Sequence, residues 1–295
     1  MSRQRGIALV QVLLITGIIG LLMLQMGLTA REQVARAQML ADRAELQLAV
    51  QSRESALLYS LLTEPLVRNL QGDNPYAAAW NFHGEPFTVD GITFTIQDES
   101  GHLRVFDQAG TGFENLLLGL GVAPDRARRL DQELMELQGV GMRTRALGES
   151  DGTQAQSAPG RFPLQDLSQL RLLPGMDPDL YARLRPLLTL YPTPGFNPTT
   201  APAGLLGAQL TRSQAQGLAD VRAAGDVDSL TLWKLTGAQA DETTVLAPGP
   251  GLTVRLEMSL REAYTARTTT FIVRPYQAEA VAVWQRSRTE ADQGG

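Results

Sequence analysis

Met1-Ser2-Arg3-Gln4-Arg5-Gly6-Ile7-Ala8-Leu9-Val10-Gln11 opens the chain, and the reading of this stretch decides the fold. A short basic leader ends at Gly6, and an uncharged apolar run begins at Ile7 without a spacer. The run continues to Ala30, with Gln11, Thr16, Gln25 and Thr29 as its polar interruptions. That is enough to cross a bilayer, which takes roughly 20 apolar residues. Arg3 and Arg5 hold the start in the cytoplasm, which predicts that the rest of the chain lies outside it.

Beyond the apolar run the helix signal does not stop. Neither Gly nor Pro occurs from Arg31 to Leu62, so residues 7–62 read as one helix roughly 80 Å long. Val34, Ala37, Leu40 (or Ala41), Ala44, Leu48, Ala49, Ala56 and Tyr59 recur at a near-helical period and predict its packed face. Pro65 and then Gly72-Asp73-Asn74-Pro75 end it. Pro86-Phe87-Thr88-Val89 and Ile92-Thr93-Phe94-Thr95-Ile96 alternate apolar with polar across Asp90-Gly91, a strong two-residue hairpin signal. Asp98-Glu99-Ser100-Gly101 turns the chain, and His102-Leu103-Arg104-Val105-Phe106 is the next expected strand.

Residues 113–235 have a helical pattern and contain a repeat. Gly121-Val122-Ala123-Pro124-Asp125-Arg126-Ala127-Arg128-Arg129-Leu130 aligns without gaps on Gly175-Met176-Asp177-Pro178-Asp179-Leu180-Tyr181-Ala182-Arg183-Leu184. In each copy Pro then Asp opens a helix. A looser third element starts at Gly207. Residues 148–160 read as a polar linker, and Pro192, Pro194, Pro198 and Pro202 make 191–202 a stiff, non-helical connection. After Pro248-Gly249-Pro250-Gly251 the period changes to two, giving strands around 252–258, 268–274 and 280–284. Strands therefore flank a helical block far longer than an ordinary connection. The expected fold class is α+β: a long N-terminal helix packed on an antiparallel sheet, with a large all-helical domain inserted between strands.

Composition closes several routes. The 295 residues carry a net charge of −5, which gives no electrostatic case for nucleic acid as a partner. There is no cysteine, so disulfides, thiolate metal sites and a Cys nucleophile are excluded. Leu173-Pro174-Gly175-Met176 resembles the hairpin of helix-hairpin-helix DNA binders, but Asp177 follows it, and Arg126, Arg128 and Arg129 read better as a solvated helix face. His83 and His102 are the only histidines. Asp98 and Ser100 beside His102 suggest a turn rather than a triad, whose members come from distant parts of a chain. The chain is not expected to be an enzyme. Calcium is the ligand its oxygen clusters suit best: Asp73-Asn74; Asp98, Glu99 and Asp107; Asp226, Asp228, Asp241 and Glu242. None has the spacing of an EF-hand loop, and no ligand set is assigned.

Three readings of the N-terminus compete. One is an uncleaved single-pass anchor. Another is a secretory signal peptide cut before Arg31, for which the apolar core is long and Leu28 poorly fills the first small position of Leu28-Thr29-Ala30. The third is a type IV prepilin leader, which Arg3-Gln4-Arg5-Gly6-Ile7-Ala8-Leu9-Val10 resembles well. It implies cleavage by prepilin peptidase between Gly6 and Ile7, with Ile7 as the new, methylated N-terminus. Gln11 is then the fifth residue, where most pilins and pseudopilins carry Glu. A carboxylate in a bilayer is costly unless paired, and a subunit with none above it has no ammonium to pair with.

With that substitution and the inserted helical block, the chain resembles the type II secretion minor pseudopilin K family. The acidic Ser-Gly turn, Leu172-Leu173-Pro174-Gly175-Met176-Asp177 and Phe196-Asn197-Pro198-Thr199-Thr200-Ala201-Pro202 also resemble family patterns. Two departures are Val105-Phe106-Asp107, where the family is Asn-rich, and Thr199-Thr200, where it has Asn-Thr. The resemblance implies a pilin-like fold divided as follows: residues 1–6 leader, 7–30 membrane helix, 31–64 periplasmic helix, 65–110 first sheet segment, 111–247 inserted helical domain, 248–295 final strands. It implies a non-enzymatic subunit of the bacterial inner membrane, N-terminus cytoplasmic and globular part periplasmic. Such a subunit caps or initiates the pseudopilus at its tip with the minor pseudopilins I and J and works with the inner-membrane secretion platform. Calcium sites are associated with the family. The rival reading is a single-pass envelope protein whose helical insert binds a ligand or DNA.

Overall fold

The computed structural model describes residues 4–68, 72–105, 112–138, 164–225, 227–237, 244–261 and 263–292. Helix α1, Gln4–Thr63, is unbroken and about 90 Å long at the usual rise per residue. Residues 9–41 along it are exposed; packing begins at Leu46. The buried positions are Leu46, Val50, Glu54, Leu57, Ser60 and Leu61, a stripe repeating every three or four residues. This is not the face expected from the apolar pattern, for Leu48 and Tyr59 are each 69% exposed. Alanine and leucine occur on more than one side of this helix. The face that the sheet covers carries Glu54 within its apolar stripe, and Glu54 pairs with Arg267 and Thr269 of the sheet.

Helix α2, Pro75–Ala79, starts at an Asn74 cap whose Oδ1 accepts from the Tyr76 and Ala77 amides. Strands β1 (His83–Val89) and β2 (Ile92–Asp98) form the expected hairpin. Its turn residues, Asp90 at φ 49° and Gly91 at φ 76°, lie in the left-handed region that a two-residue turn of this hand needs. Phe82, at φ 60°, leads into β1 with its ring fully buried.

The segment expected as the next strand behaves differently. Within its described part Leu103–Arg104 forms a strand (β3), which pairs in parallel with Leu188–Thr189 (β4), away from the main sheet. Leu103 and Val105 are drawn instead into the core of the helical region. That region contains α3 (Gly112–Gly119), α4 (Pro124–Gln138), α5 (Pro178–Leu184), α6 (Ala203–Gln209), α7 (Arg212–Ala224) and α8 (Ser229–Thr236). Among its described residues strand pairing is confined to the β3–β4 ladder and an isolated Phe196–Thr244 bridge. Residues 148–160, read as a linker, lie outside the described residues.

Three long strands complete the sheet: β5 (Gly251–Leu260), β6 (Ala263–Val273) and β7 (Val281–Asp292). Its order is β1-β2-β5-β6-β7, antiparallel throughout. β2 and β5 are neighbours, and Asp98, the last residue of β2, stands opposite Leu252 at the start of β5. The chain thus leaves and regains the sheet at adjacent points of one ladder. Two separate apolar cores result: one between α1 and the sheet, around Trp80, Phe82, Phe94 and Phe271, and one within the insert, around Leu116, Leu117, Leu130 and Leu184.

Candidate functional site: stem and junction

Gly6 and Ile7 lie within the helical backbone of α1, and Gln11 is exposed one turn further on. No carboxylate precedes Glu32 in the sequence. The apolar half of α1 is long enough to cross a membrane once, and none of it is buried against the rest of the chain.

Two contacts set the direction of the stem against the sheet. Arg261, in the β5–β6 turn, pairs with Asp42. Twelve residues further along α1, Glu54 accepts from Arg267 Nη1 at 2.8 Å and from Thr269 Oγ1 at 2.7 Å, with Arg286 at 3.6 Å. The β5–β6 turn therefore faces the membrane-spanning part of α1. The opposite end of β5, where the insert is attached, lies roughly 30 Å away along the strand. Just past the end of α1, Arg68 donates to the Gly225 carbonyl of the insert at 3.3 Å. The insert is mounted on the end of the molecule remote from the anchor.

The junction is built from two segments far apart in sequence. Asp98 is fully buried; its Oδ1 accepts from the Ser100 amide at 2.9 Å, and its Oδ2 accepts from Thr200 Oγ1 at 2.8 Å and Asn197 Nδ2 at 3.4 Å. The Asn197 amide donates to the Ser100 carbonyl at 2.7 Å, and Gln97 Nε2 donates to the Thr200 carbonyl at 2.9 Å. A Cβ on Gly101 would sit 2.4 Å from the Thr200 carbonyl oxygen, which explains a glycine there. Glu99 is held by Thr189 Oγ1 at 2.6 Å and Thr253 Oγ1 at 2.5 Å, with His102 Nδ1 at 3.4 Å. Burial pushes the Asp98 carboxyl up, against the hydrogen bonds from Ser100 and Thr200. Burial pushes Glu99 up as well, but the His102 contact and the two threonine hydroxyls outweigh it and bring the carboxyl below its ordinary value. A second tie stacks Tyr191 of the insert on Trp284 of β7, centroids 4.7 Å apart.

Within the insert, the two copies of the repeat hold one another. Arg126 of the first donates to the Gly175 carbonyl at 2.7 Å and pairs with Asp177, both in the second. In return, Arg183 of the second donates to the Leu120 carbonyl beside Gly121 of the first. Arg126 is thus a cross-brace, not a phosphate contact. Asp177 also caps α5, its Oδ1 accepting from the Leu180 amide at 2.7 Å.

The other oxygen clusters are dispersed. Asn74 is a cap, Asp228 caps α8, and the carboxylates of Asp98 and Glu99 are engaged at the junction. Asp107, Asp226, Asp241 and Glu242 lie outside the described residues. Among the described residues no three His, Asp or Glu side chains gather into a metal-sized group. His102 contacts Glu99 rather than a nucleophile–base pair. Sequence reasoning missed Glu54 as a tie, although a carboxylate inside a helical stripe of Leu and Val was its signal. It noted both halves of the junction as patterns without joining them.

Comparison with known proteins agrees with this architecture. A family profile described as Type II secretion system (T2SS), protein K matches residues 95–193. The type II secretion system protein K of Klebsiella pneumoniae is 32% identical over 287 residues, 86% of each chain. The chain belongs to the type II secretion system protein K family. It is a minor pseudopilin of such a system, in a family that is a structural component of protein secretion, and its apolar N-terminal helix is a single-pass membrane anchor. The protein K of Pectobacterium carotovorum subsp. carotovorum is 30% identical over 275 residues, 80% of each chain. Among solved structures, the GspK-GspI-GspJ complex from the enterotoxigenic Escherichia coli type 2 secretion system contains a chain of the same fold. Its TM-score is 0.52 at 18% identity, covering 87% of this chain and 99% of that one. The secretion reading is favoured over that of an envelope protein with a ligand- or DNA-binding insert.

Proposed function

We propose that this chain caps or initiates a pseudopilus at its tip, together with minor pseudopilins corresponding to I and J. The observation that carries the reading is the placement of the insert at the end of the sheet remote from the anchor. A subunit stacked beyond it would meet the insert in place of a free stem. The exposed stripe of α1, including Leu40, Leu48 and Tyr59, is the surface by which the stem packs on pseudopilin helices below. Gln11 fits the same role, because a topmost subunit has no neighbouring N-terminal ammonium for a carboxylate to meet. That the E. coli neighbour is a complex of K with I and J supports the choice of partners.

In this reading prepilin peptidase cuts between Gly6 and Ile7 and leaves Ile7 as the methylated N-terminus. The N-terminus starts in the cytoplasm of an inner-membrane protein whose globular part is periplasmic, as Arg3 and Arg5 predict. The secretion platform draws the helix from the bilayer into the fibre, and the subunit performs no catalysis. The boundaries at residues 6, 30, 64, 110 and 247 divide leader, membrane helix, stem, first sheet segment, insert and final strands.

Intact mass and N-terminal sequencing, with and without prepilin peptidase, test the processing step. A peptidase-dependent start at Ile7 is the expected result; a start at Met1 or Arg31 removes the pseudopilus reading. Deleting residues 113–235 tests the tip role. Unchanged fibre length and secretion would sink it.

A further inference from the structure

Behind the junction, a cavity of about 640 Å³ opens between the start of β1 and helices α6 and α7. Among the described residues its ionisable lining is mostly basic: Arg68, Arg212, Arg222, His83 and His102, with Glu85 as the carboxylate. Glu85 lies against His83, its Oε2 3.3 Å from His83 Nε2.

Arg222 is the unusual member. It is only 4% exposed, yet the partner of its guanidinium is a neutral group, the Ala201 carbonyl at 2.8 Å from Nη2. Its Nε is buried without a hydrogen-bond partner, and no ion pair joins Arg222 to a carboxylate among the described residues. A guanidinium cannot shed its charge near neutral pH, so burying one is unfavourable unless an anion compensates it. The planar fork of N–H donors matches the oxygens of a phosphate or a carboxylate. Arg212, exposed at the first position of α7, stands at the rim of the same cavity.

We propose that this cavity is an oxyanion site, which takes a phosphate or carboxylate group between Arg222 and Arg212. Two observations agree with a site poised for an anion. Burial, with the neighbouring charge of Arg68, holds Arg222 down to about 10. Burial holds His83 below its ordinary value too, against its bond to the Asn81 carbonyl, and the charges of Arg222 and Arg68 add to that effect. His83, on the sheet side of the cavity, lies close enough to Arg222 to feel its charge and so to report what binds there. The inference does not depend on the tip assignment.

The test uses the full chain in detergent, with thermal unfolding followed against inorganic phosphate and, separately, acetate, each against sodium chloride at equal ionic strength. A saturable rise in the midpoint is expected with phosphate, acetate or both; a rise with phosphate alone assigns a phosphate-bearing ligand, and a rise with acetate extends the site to carboxylates. Arg222→Gln removes the response, whereas non-specific salting effects persist in it. Arg212→Gln, at the exposed rim, keeps the fold and weakens binding about tenfold, as the loss of one charge-assisted hydrogen bond should. His83 and His102 are the only histidines and both line the cavity, so 15N-histidine labelling reports occupancy directly. The anion should raise the His83 titration midpoint. A response no larger than that to chloride, an equal response in both variants, or an unmoved His83 overturns the proposal.

Discussion

Arg267 Nη1 reaches the carboxylate of Glu54 at 2.8 Å, joining the C-terminal part of the long helix to the sheet in a contact nearly closed to water. Glu54 occupies the place of a core residue, between Val50 and Leu57 in the buried stripe. Thr269 bonds its other oxygen, so the carboxylate is satisfied from two positions of β6. An apolar stripe alone would allow the stem to slide along the sheet by a turn. A buried polar tie at one level fixes the register.

Removing one partner of a buried pair leaves the other charge uncompensated. Glu54→Ala should therefore lower stability by about 3–5 kcal/mol. Replacing both, as Glu54→Leu with Arg267→Met, should recover most of that loss. Denaturant unfolding of the unaltered chain, Glu54→Ala and the double variant in detergent measures it; a double variant no better than Glu54→Ala would show that the pair itself is not the cause.

Two helical glycines should respond to alanine with opposite signs. On Gly119 a Cβ would sit 1.8 Å from the Ala208 carbonyl oxygen, backbone that must move. Gly119→Ala should destabilise by about 1–3 kcal/mol, as overpacking does. On Gly207 a Cβ meets nothing within 4 Å, and the better helix propensity of alanine should stabilise by up to about 1 kcal/mol. Thermal midpoints of the two variants decide between packing and propensity as the governing effect.

The junction carboxylates predict opposed pH effects. Glu99 is depressed in the folded chain, so its contribution is present above its unfolded value near 4.5 and is lost as pH falls through the lower folded value. Asp98 is raised, so the folded state holds its proton longer, and that contribution disappears as pH rises through the raised value. Glu99→Gln should flatten the acid limb of the stability curve, whereas Asp98→Asn should steepen the net acid loss by leaving Glu99 unopposed. Unfolding free energies between pH 3 and 7 for both variants provide the check.

Gln11→Glu should leave processing at Gly6–Ile7 intact, because the substitution lies beyond the cleaved bond. The new carboxylate, unpaired in a topmost subunit, costs about 2.5–3.5 kcal/mol at the centre of a membrane helix, and less toward its end. Normal cleavage with reduced secretion is the expected outcome in a secretion assay with N-terminal sequencing. Unchanged secretion would separate the identity of residue 11 from the tip role.

Local rules made much of this legible from sequence. Asp90-Gly91 admits a tight left-handed turn and little else, and the Pro248-Gly249-Pro250-Gly251 boundary separates two periods cleanly. The stem was legible from the absence of Gly and Pro between Arg31 and Leu62. What failed was the choice among surfaces. Leu40 and Leu48 are as apolar as Leu46 and Leu57, and only the position of the sheet decides which set is covered. His102–Phe106 had strand character, but Leu103 was captured by the insert core and paired with Leu188. Asp98 and Asn197 meet across a long insertion, and no local pattern encodes that closure.

The adjacency of Asp98 and Leu252 has an evolutionary consequence. Seen from the sheet, everything between them is a decoration on a single hairpin. Lineages can enlarge, trim or resurface that decoration while the ladder and the stem beneath it keep their geometry. The part that meets the fibre and the part that meets whatever lies beyond it are then free to diverge at different rates.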